Sequence, residues 1–399
     1  MDYWQEFQQK WIDYVPLFLL TLSCGIDSGW LMAVAFLCHL LICKKTKFPY
    51  FGTLRKDPKV RQTVLFIVFF LLCAAVTLPF NHGQGILLLK YIERMIPLAL
   101  VIFLVRPGGE TFKVLWSGIL ASLAWYIGDI CLHPVWHSGR LVGSFGHPNS
   151  LSGIMLILIP IGLFGVIRYY RECPKATIVA TLLTAVSVCI LVCTGSRNAY
   201  LSFAGIFVLS FYMVWRHRDW MSVKILAVFV IVVGLFVVIA APGLVSQRFK
   251  NNVQRDGRVY LMESAIQIIK EEPLVGIGLG NWGKVYHERF EADNPNREVG
   301  IQSPHNIYLQ VWNETGFIGF AGFLSLIGFQ LRLMIMALRR FYRRQPQGFP
   351  WLAGLFLPIL AIFLFGLMDY GFFSRHMMHL YWFYWGFCLY AVLYYEKEI

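Results

Sequence analysis

About twelve apolar runs constrain what this chain can fold into: 14–26, 29–43, 62–80, 86–105, 112–132, 150–168, 177–193, 199–215, 223–241, 316–338, 350–368 and 378–395. Most reach the roughly 17 to 25 residues that a helix needs to cross a hydrocarbon core; the first two are shorter. No water is present there, so each backbone N–H and C=O must be paired within its own segment, and long apolar runs achieve that as α-helices. The expected fold is an all-α polytopic membrane protein with about 12 transmembrane helices. Composition agrees, since 57% of the 399 residues are hydrophobic and only 14% are charged. A net charge of +13 on so few charged residues excludes a soluble nucleic-acid binder, which would spread many charges over a polar surface. The nine cysteines include no CxxC pair and read as small core hydrophobes, not as a disulfide framework.

The basic residues alternate along the chain. Connections 44–61, 168–176, 216–224 and 332–344 hold seven, three, three and five Lys and Arg, whereas 27–28, 81–85, 133–149, 194–198 and 369–377 hold only Arg140, Arg197 and Arg375. Positively charged loops stay in the cytoplasm, which puts both termini there and the second set of loops outside. By the same alternation the 71-residue segment 242–312, between the ninth and tenth runs, lies outside, with eight basic residues balanced by eight acidic ones. It is too long for a plain connector. Val259, Met262, Ile266 and Ile269 recur at helical spacing within 258–270, predicting an amphipathic helix that Pro273 stops. The organisation expected is helices one to nine over 1–241, a loop region over 242–315 carrying part of a site, and helices ten to twelve over 316–399. No repeat relates the halves, which weighs against a transporter built from inverted repeats.

The outer segments lack HExxH, GxSxG, DxD and zinc-type Cys/His spacing, so no metal ion or cofactor is expected. They contain isolated Arg and His residues beside Gly, Pro and Asn at helix starts, a combination suited to anions. In SPHNIYLQVWNETGFIGFAGF, 303–323, Ser303 is a candidate N-cap and Pro304 occupies the favoured first position, placing His305 in the first turn. The positive helix end keeps such an imidazole neutral, as a general base requires; the alternative is an interfacial hydrogen-bonding His. Arg197, in TGSRNAYLSF, sits in a short outer turn where a lipid phosphate would lie, offering charge and bidentate donors, or it is a snorkelling anchor. Arg258 opens the amphipathic helix on the side of Met262, Ala265 and Ile269, where a charge needs an anionic partner. Arg255, three residues earlier, competes for that role. Lys90 and Arg94 flank Glu93 inside an apolar run, as substrate contacts or as a local ion-pair network. Asp369, Arg375, His376 and His379 are equally open between site and interface roles. The GxGxxG at 278–283 follows no βαβ pattern and is not a dinucleotide site.

The order of four motifs resembles a known family. GSFGHPNSLSG at 143–153, TGSRNAYLSF at 194–203, an Arg-led helix ending in EEPLVGIGLGNW at 271–282, and SPHNIYLQVWNETGFIG at 303–319 together are similar to the O-antigen ligase and polymerase superfamily of bacterial inner membranes. The resemblance covers roughly residues 143 to 323. It implies a GT-C-like glycosyltransferase with its large loop and active site in the periplasm, transferring a glycan from undecaprenyl diphosphate to an acceptor hydroxyl without a metal. Family members use two arginines and one histidine, which match Arg197, Arg258 and His305, with Arg255 the competitor for the second arginine. Asn149 holds the family's Pro-Asn position, His147 stands where relatives often carry Asn, and Asn306 completes the His-Asn motif. Where many relatives have an aromatic four residues after the second arginine, this chain has Met262. The implied partners are the lipid-linked O-antigen, a lipid A core acceptor and membrane lipids, with no nucleic acid. A ligase is expected ahead of a polymerase using the same donor, and a non-enzymatic lipid-linked glycan transporter comes third.

Overall fold

The computed structural model describes residues 3–46, 56–105, 108, 110–216, 220–240, 257–295, 299–344 and 348–397. The chain is a helical bundle whose elements, in order, are α1 (Tyr3–Ile26), α2 (Gly29–Thr46), α3 (Pro58–Asn81), α4 (Ile86–Glu93), α5 (Ile96–Leu104), α6 (Glu110–Leu132), α7 (Pro148–Tyr169), α8 (Pro174–Cys193), α9 (Arg197–Arg216), α10 (Trp220–Ala240), α11 (Gly257–Glu271), α12 (Trp282–Arg289), α13 (Ile307–Arg344), α14 (Phe349–Phe365) and α15 (Arg375–Lys397). A two-stranded hairpin, β1 (Trp136–His137) with β2 (Arg140–Leu141), precedes α7. Each predicted apolar run falls on one of these helices, except that 86–105 is split between α4 and α5 around Arg94 and Met95, with Pro97 beginning the second piece. Seven helices are long and apolar enough to cross a membrane: α3, α6, α7, α8, α9, α10 and α13.

The packing sorts these helices. The apolar stretch of α7 is 94% buried, against 18% for that of α10, so α7 is the bundle's centre and α10 its lipid-facing rim. A helix apolar on every side belongs inside such a bundle, and α7 is covered by α8 and α14. Aromatic side chains fill the remaining seams: Phe112 stacks on Trp351 at 5.2 Å, and Phe66 of α3 stacks on Phe329 of α13 at 4.5 Å. The two ends of the bundle differ in character. At one end, Lys59 and Arg340 both pair with Glu396, and Gly108 bonds to Tyr390. At the other end lie the turns around residues 25–28, 81–85, 133–147, 194–197, 273–281, 303–306 and 366–375, tied to one another by hydrogen bonds.

At that second end α11 and α12 form a small layer of their own. Leu261 and Ile268 of α11 pack on Trp282 and Tyr286, whose rings stack at 4.9 Å. The predicted helix is present, but its buried face differs: Leu261, Ser264, Ala265 and Ile268 face inward, while Val259 and Ile266 are exposed. The segment is apolar on two sides, so spacing alone does not select the one that meets protein.

The glycine-rich loop after α11 has a structural task. Helix α13 breaks at Gly316, which adopts φ 60° and ψ −170°, a backbone region that only glycine enters without strain. The break leaves backbone groups unpaired, and residues 273–278 supply their partners: Ile277 and Gly278 N–H donate to the carbonyls of Asn313 and Glu314, and Phe317 N–H donates to that of Pro273. At Gly276, φ 69°, an added Cβ would lie 2.4 Å from the Asn313 carbonyl oxygen. Asn81, at the end of α3, completes the clamp by donating to the Val275 carbonyl at 2.7 Å. The GxGxxG spacing thus serves close backbone packing.

Candidate active site

The turn after α14, residues 365–371, is where the separated motifs meet. Gly366 accepts from the Ile307 N–H at 2.9 Å, Leu367 accepts from Asn306 Nδ2 at 3.0 Å, and Phe365 accepts from Asn198 Nδ2 at 2.6 Å. One backbone turn therefore fixes the residues beside His305 and beside Arg197. Two residues on, Asp369 is buried, and its Oδ2 accepts from Asn149 Nδ2 at 2.8 Å and stands 3.8 Å from the Arg258 guanidinium. Its Oδ1 accepts from the Gly371 N–H at 2.9 Å, which holds the carboxylate in place.

Asn149 links this carboxylate to a further arginine. Its Oδ1 accepts from Arg140 at 2.8 Å, and Arg140 also donates through Nε to the Thr194 carbonyl at 2.8 Å, at the start of the turn that carries Arg197. The amide is thereby oriented, with its oxygen toward Arg140 and its nitrogen toward Asp369. The hairpin β1–β2 delivers Arg140 to this point; the sequence marked it only as an outer basic residue. Its signal was the positive-inside argument, which singles out any Lys or Arg on the outer side.

His147 caps α7, its Nδ1 accepting from the Asn149 N–H at 3.2 Å. Desolvation, together with the positive charges of Arg140 and Arg258, lowers its pKa from the ordinary histidine value against the opposing pull of Asp369. A neutral ring leaves Nδ1 free to accept, which the cap requires. His147 is therefore a helix cap at the rim of the site, with Nε2 as the ring nitrogen the cap does not use.

The start of α13 differs from the sequence reading. The helix begins at Ile307, and the cap is Asn306, not Ser303: Asn306 Oδ1 accepts from the N–H groups of Tyr308 and Leu309 at 2.9 and 3.0 Å. His305 precedes the cap, outside the first turn, in the left-handed region at φ 51°. Such a backbone is uncommon for a non-glycine residue, though histidine tolerates it better than branched residues. With Asn306 bonded on both sides, to α13 and to Leu367, the strained residue is held beside the helix's positive end.

Of the other candidates, Arg255 lies outside the described residues. Arg94 does not face this site; its guanidinium donates to the Phe373 carbonyl and contacts Met378 Sδ at 4.0 Å, tying the α4–α5 junction to the start of α15. Lys90 is exposed on α4. The network expected around Glu93 is replaced by another: Arg375 and His379 both bond Asp27, at 3.2 and 3.1 Å, and His379 Nε2 stands 3.9 Å from Glu93.

The arrangement is a pocket rim of one sign. Arg140 and Arg258 flank a single buried carboxylate through Asn149, Arg197 opens α9 beside them, and a strained histidine stands at a helix N-terminus. Such a site can bind a multivalent anion and offset charge that develops on it. No curated protein matches the chain. Residues 182–324 match the family described as O-antigen ligase, a stretch that includes Arg197, Arg258 and His305 but not Arg140, Asn149 or Asp369. This match identifies residues 182–324 as a domain of the O-antigen ligase and polymerase superfamily.

Proposed function

We propose that the protein is an O-antigen ligase, a metal-independent, inverting glycosyltransferase that moves O-polysaccharide from undecaprenyl diphosphate to a sugar hydroxyl of the lipid A core. The observation that carries the reading is the convergence on one turn: Asn198, Asn306, Asn149 and Arg258, from four separate motifs, all engage residues 365–369. In this reading Arg197 and Arg258 hold the diphosphate, and the acceptor oxygen attacks the anomeric carbon from the opposite face. The bond from that carbon to the diphosphate oxygen breaks, the arginines offset the charge on the departing undecaprenyl diphosphate, and His305 takes the proton of the attacking hydroxyl. Asn149 and Asn306 position the site, and His147 borders it.

The reading carries a topology with it. About 12 spans, with both termini in the cytoplasm of a bacterial inner membrane and the site in the periplasm, follow from the alternation of basic loops, with 242–315 as the loop region between spans nine and ten. The division into 1–241, 242–315 and 316–399 belongs to the same proposal.

A lipopolysaccharide gel of a deletion strain tests the assignment. Loss of all polymer on the core, with lipid-linked polymer accumulating outside, supports a ligase; core bearing a single repeat assigns a polymerase; glycan trapped inside assigns a transporter.

A further inference from the structure

At the end of the bundle opposite the active site, a groove of about 1090 Å³ opens between α9, α13 and α14. Its walls are apolar, formed by Leu209, Met213, Ile335, Leu338 and Phe356 among others, and Arg216, Arg339 and Arg340 line it at the helix ends. We propose that this groove binds an anionic phospholipid, its acyl chains along the apolar walls and its phosphate on the arginines.

Three observations carry this. The groove is larger than the roughly 300 to 1,000 Å³ of ordinary small-molecule sites, and its walls are the sides of helices apolar enough to cross a membrane, so its occupant is lipid and not water-soluble. Its charge is concentrated: three guanidiniums meet at one groove, whereas the groove on the other face of α13 has Lys59 and Arg332, of which Lys59 already pairs with Glu396. Arg340 also reaches Glu396, at 3.1 Å, so the excess positive charge rests on Arg216 and Arg339, exposed at the ends of two different helices. Basic pockets between membrane helices favour anionic headgroups, and guanidinium planes bind phosphate oxygens in pairs. A zwitterionic lipid would bring its own cation against these arginines. Finally, α9 separates this groove from the active site: it runs from Arg197 to Arg216 over 20 residues, about 30 Å at the α-helical rise, so the two anion sites lie near opposite membrane faces.

The test is lipid retention on purified full-length protein, measured by native mass spectrometry after exchange into phosphatidylglycerol or phosphatidylcholine vesicles of equal concentration. The wild type should retain phosphatidylglycerol at least fivefold over phosphatidylcholine. The double variant Arg216→Gln/Arg339→Gln should lose that preference, and Arg216→Lys/Arg339→Lys should keep most of it. Leu209→Trp, which fills the groove and leaves the charges, should lower retention of both lipids and decides the matter if the glutamine variant does not fold. Equal retention of the two lipids by the wild type overturns the proposal. So does undiminished phosphatidylglycerol retention in Leu209→Trp, or co-purified undecaprenyl phosphate as the bound species.

Discussion

Replacing Asp369 by Asn removes one charge and almost no volume, and its consequences follow from the hydrogen-bond chain Arg140–Asn149–Asp369. Asn149 donates to Asp369 and accepts from Arg140, each at 2.8 Å. In Asp369→Asn the new side chain can still accept from Gly371 with its oxygen, but its amide nitrogen then faces the amide nitrogen of Asn149. Two donors meet, and if Asn149 flips to relieve this, it presents its nitrogen to Arg140 instead. Either way one hydrogen bond to a charged group is lost, worth about 1.5–3 kcal/mol, and Arg258 loses the carboxylate 3.8 Å away. Asp369 is buried and Arg258 three-quarters so, and solvent screens little of this. With about 1.4 kcal/mol per factor of ten, the expected loss is on the order of 10- to 100-fold. It should fall on the donor's KM more than on kcat, because Arg258 and Arg140 act on the bound diphosphate. The assay is transfer of labelled lipid-linked polysaccharide to core acceptor by purified protein at varied donor. The swap Asn149→Asp/Asp369→Asn restores one acceptor between two donors and should recover part of the loss. An unchanged donor KM in Asp369→Asn, or a swap no better than the single variant, would refute the positioning role.

Other consequences are more local. Gly316→Ala places a Cβ about 2.1 Å from the Leu274 carbonyl oxygen at φ 60°; beyond roughly 1–3 kcal/mol of backbone strain the clash breaks the clamp on α13, so the yield of monodisperse protein should collapse. Asn306→Ala removes a cap that serves two N–H groups, costing about 0.5–2 kcal/mol, and should lower both the thermal midpoint in detergent and the transfer rate. Asp27 responds to acid: burial alone would raise its carboxyl pKa, but the His379 hydrogen bond, His376 and Arg375 outweigh burial and hold it below its ordinary value of 3.8. A lowered folded-state pKa contributes stability above that value and loses it as pH falls through the folded one. Between pH 5 and 3 the wild type should therefore lose more thermal stability than Asp27→Asn, and parallel losses would contradict the pairing.

The sequence was most informative where one physical constraint acts alone. Apolar length placed every helix of the bundle, because a bilayer leaves one way to pair the backbone. It did not show that 86–105 is two helices, since the break at Arg94 and Met95 is stabilised from a distance, by Phe373 and Met378. Arg197, Arg258 and His305 were legible as charges on the side where charge is unexpected. Asp369 was not, because an acidic residue in an outer turn means nothing until Asn149 and Arg258, 220 and 111 positions away in sequence, are seen against it. Arg140 was missed for the same reason. The cap of α13 was misplaced because Ser303-Pro304 satisfies the local start pattern as well as Asn306 does; the docking of Asn306 on Leu367 decides between them. The inward face of α11 depended on Trp282 and Tyr286, which no spacing within α11 reveals.

The central claim is that His305, poised beside the α13 N-terminus, accepts the proton of the attacking hydroxyl. The direct measurement is single-turnover transfer by purified His305→Ala, alongside its affinity for the undecaprenyl diphosphate-linked donor. The account predicts donor affinity close to wild type with the transfer rate reduced by about 10²- to 10⁴-fold, the range for losing a general base. Unimpaired transfer by His305→Ala would contradict it.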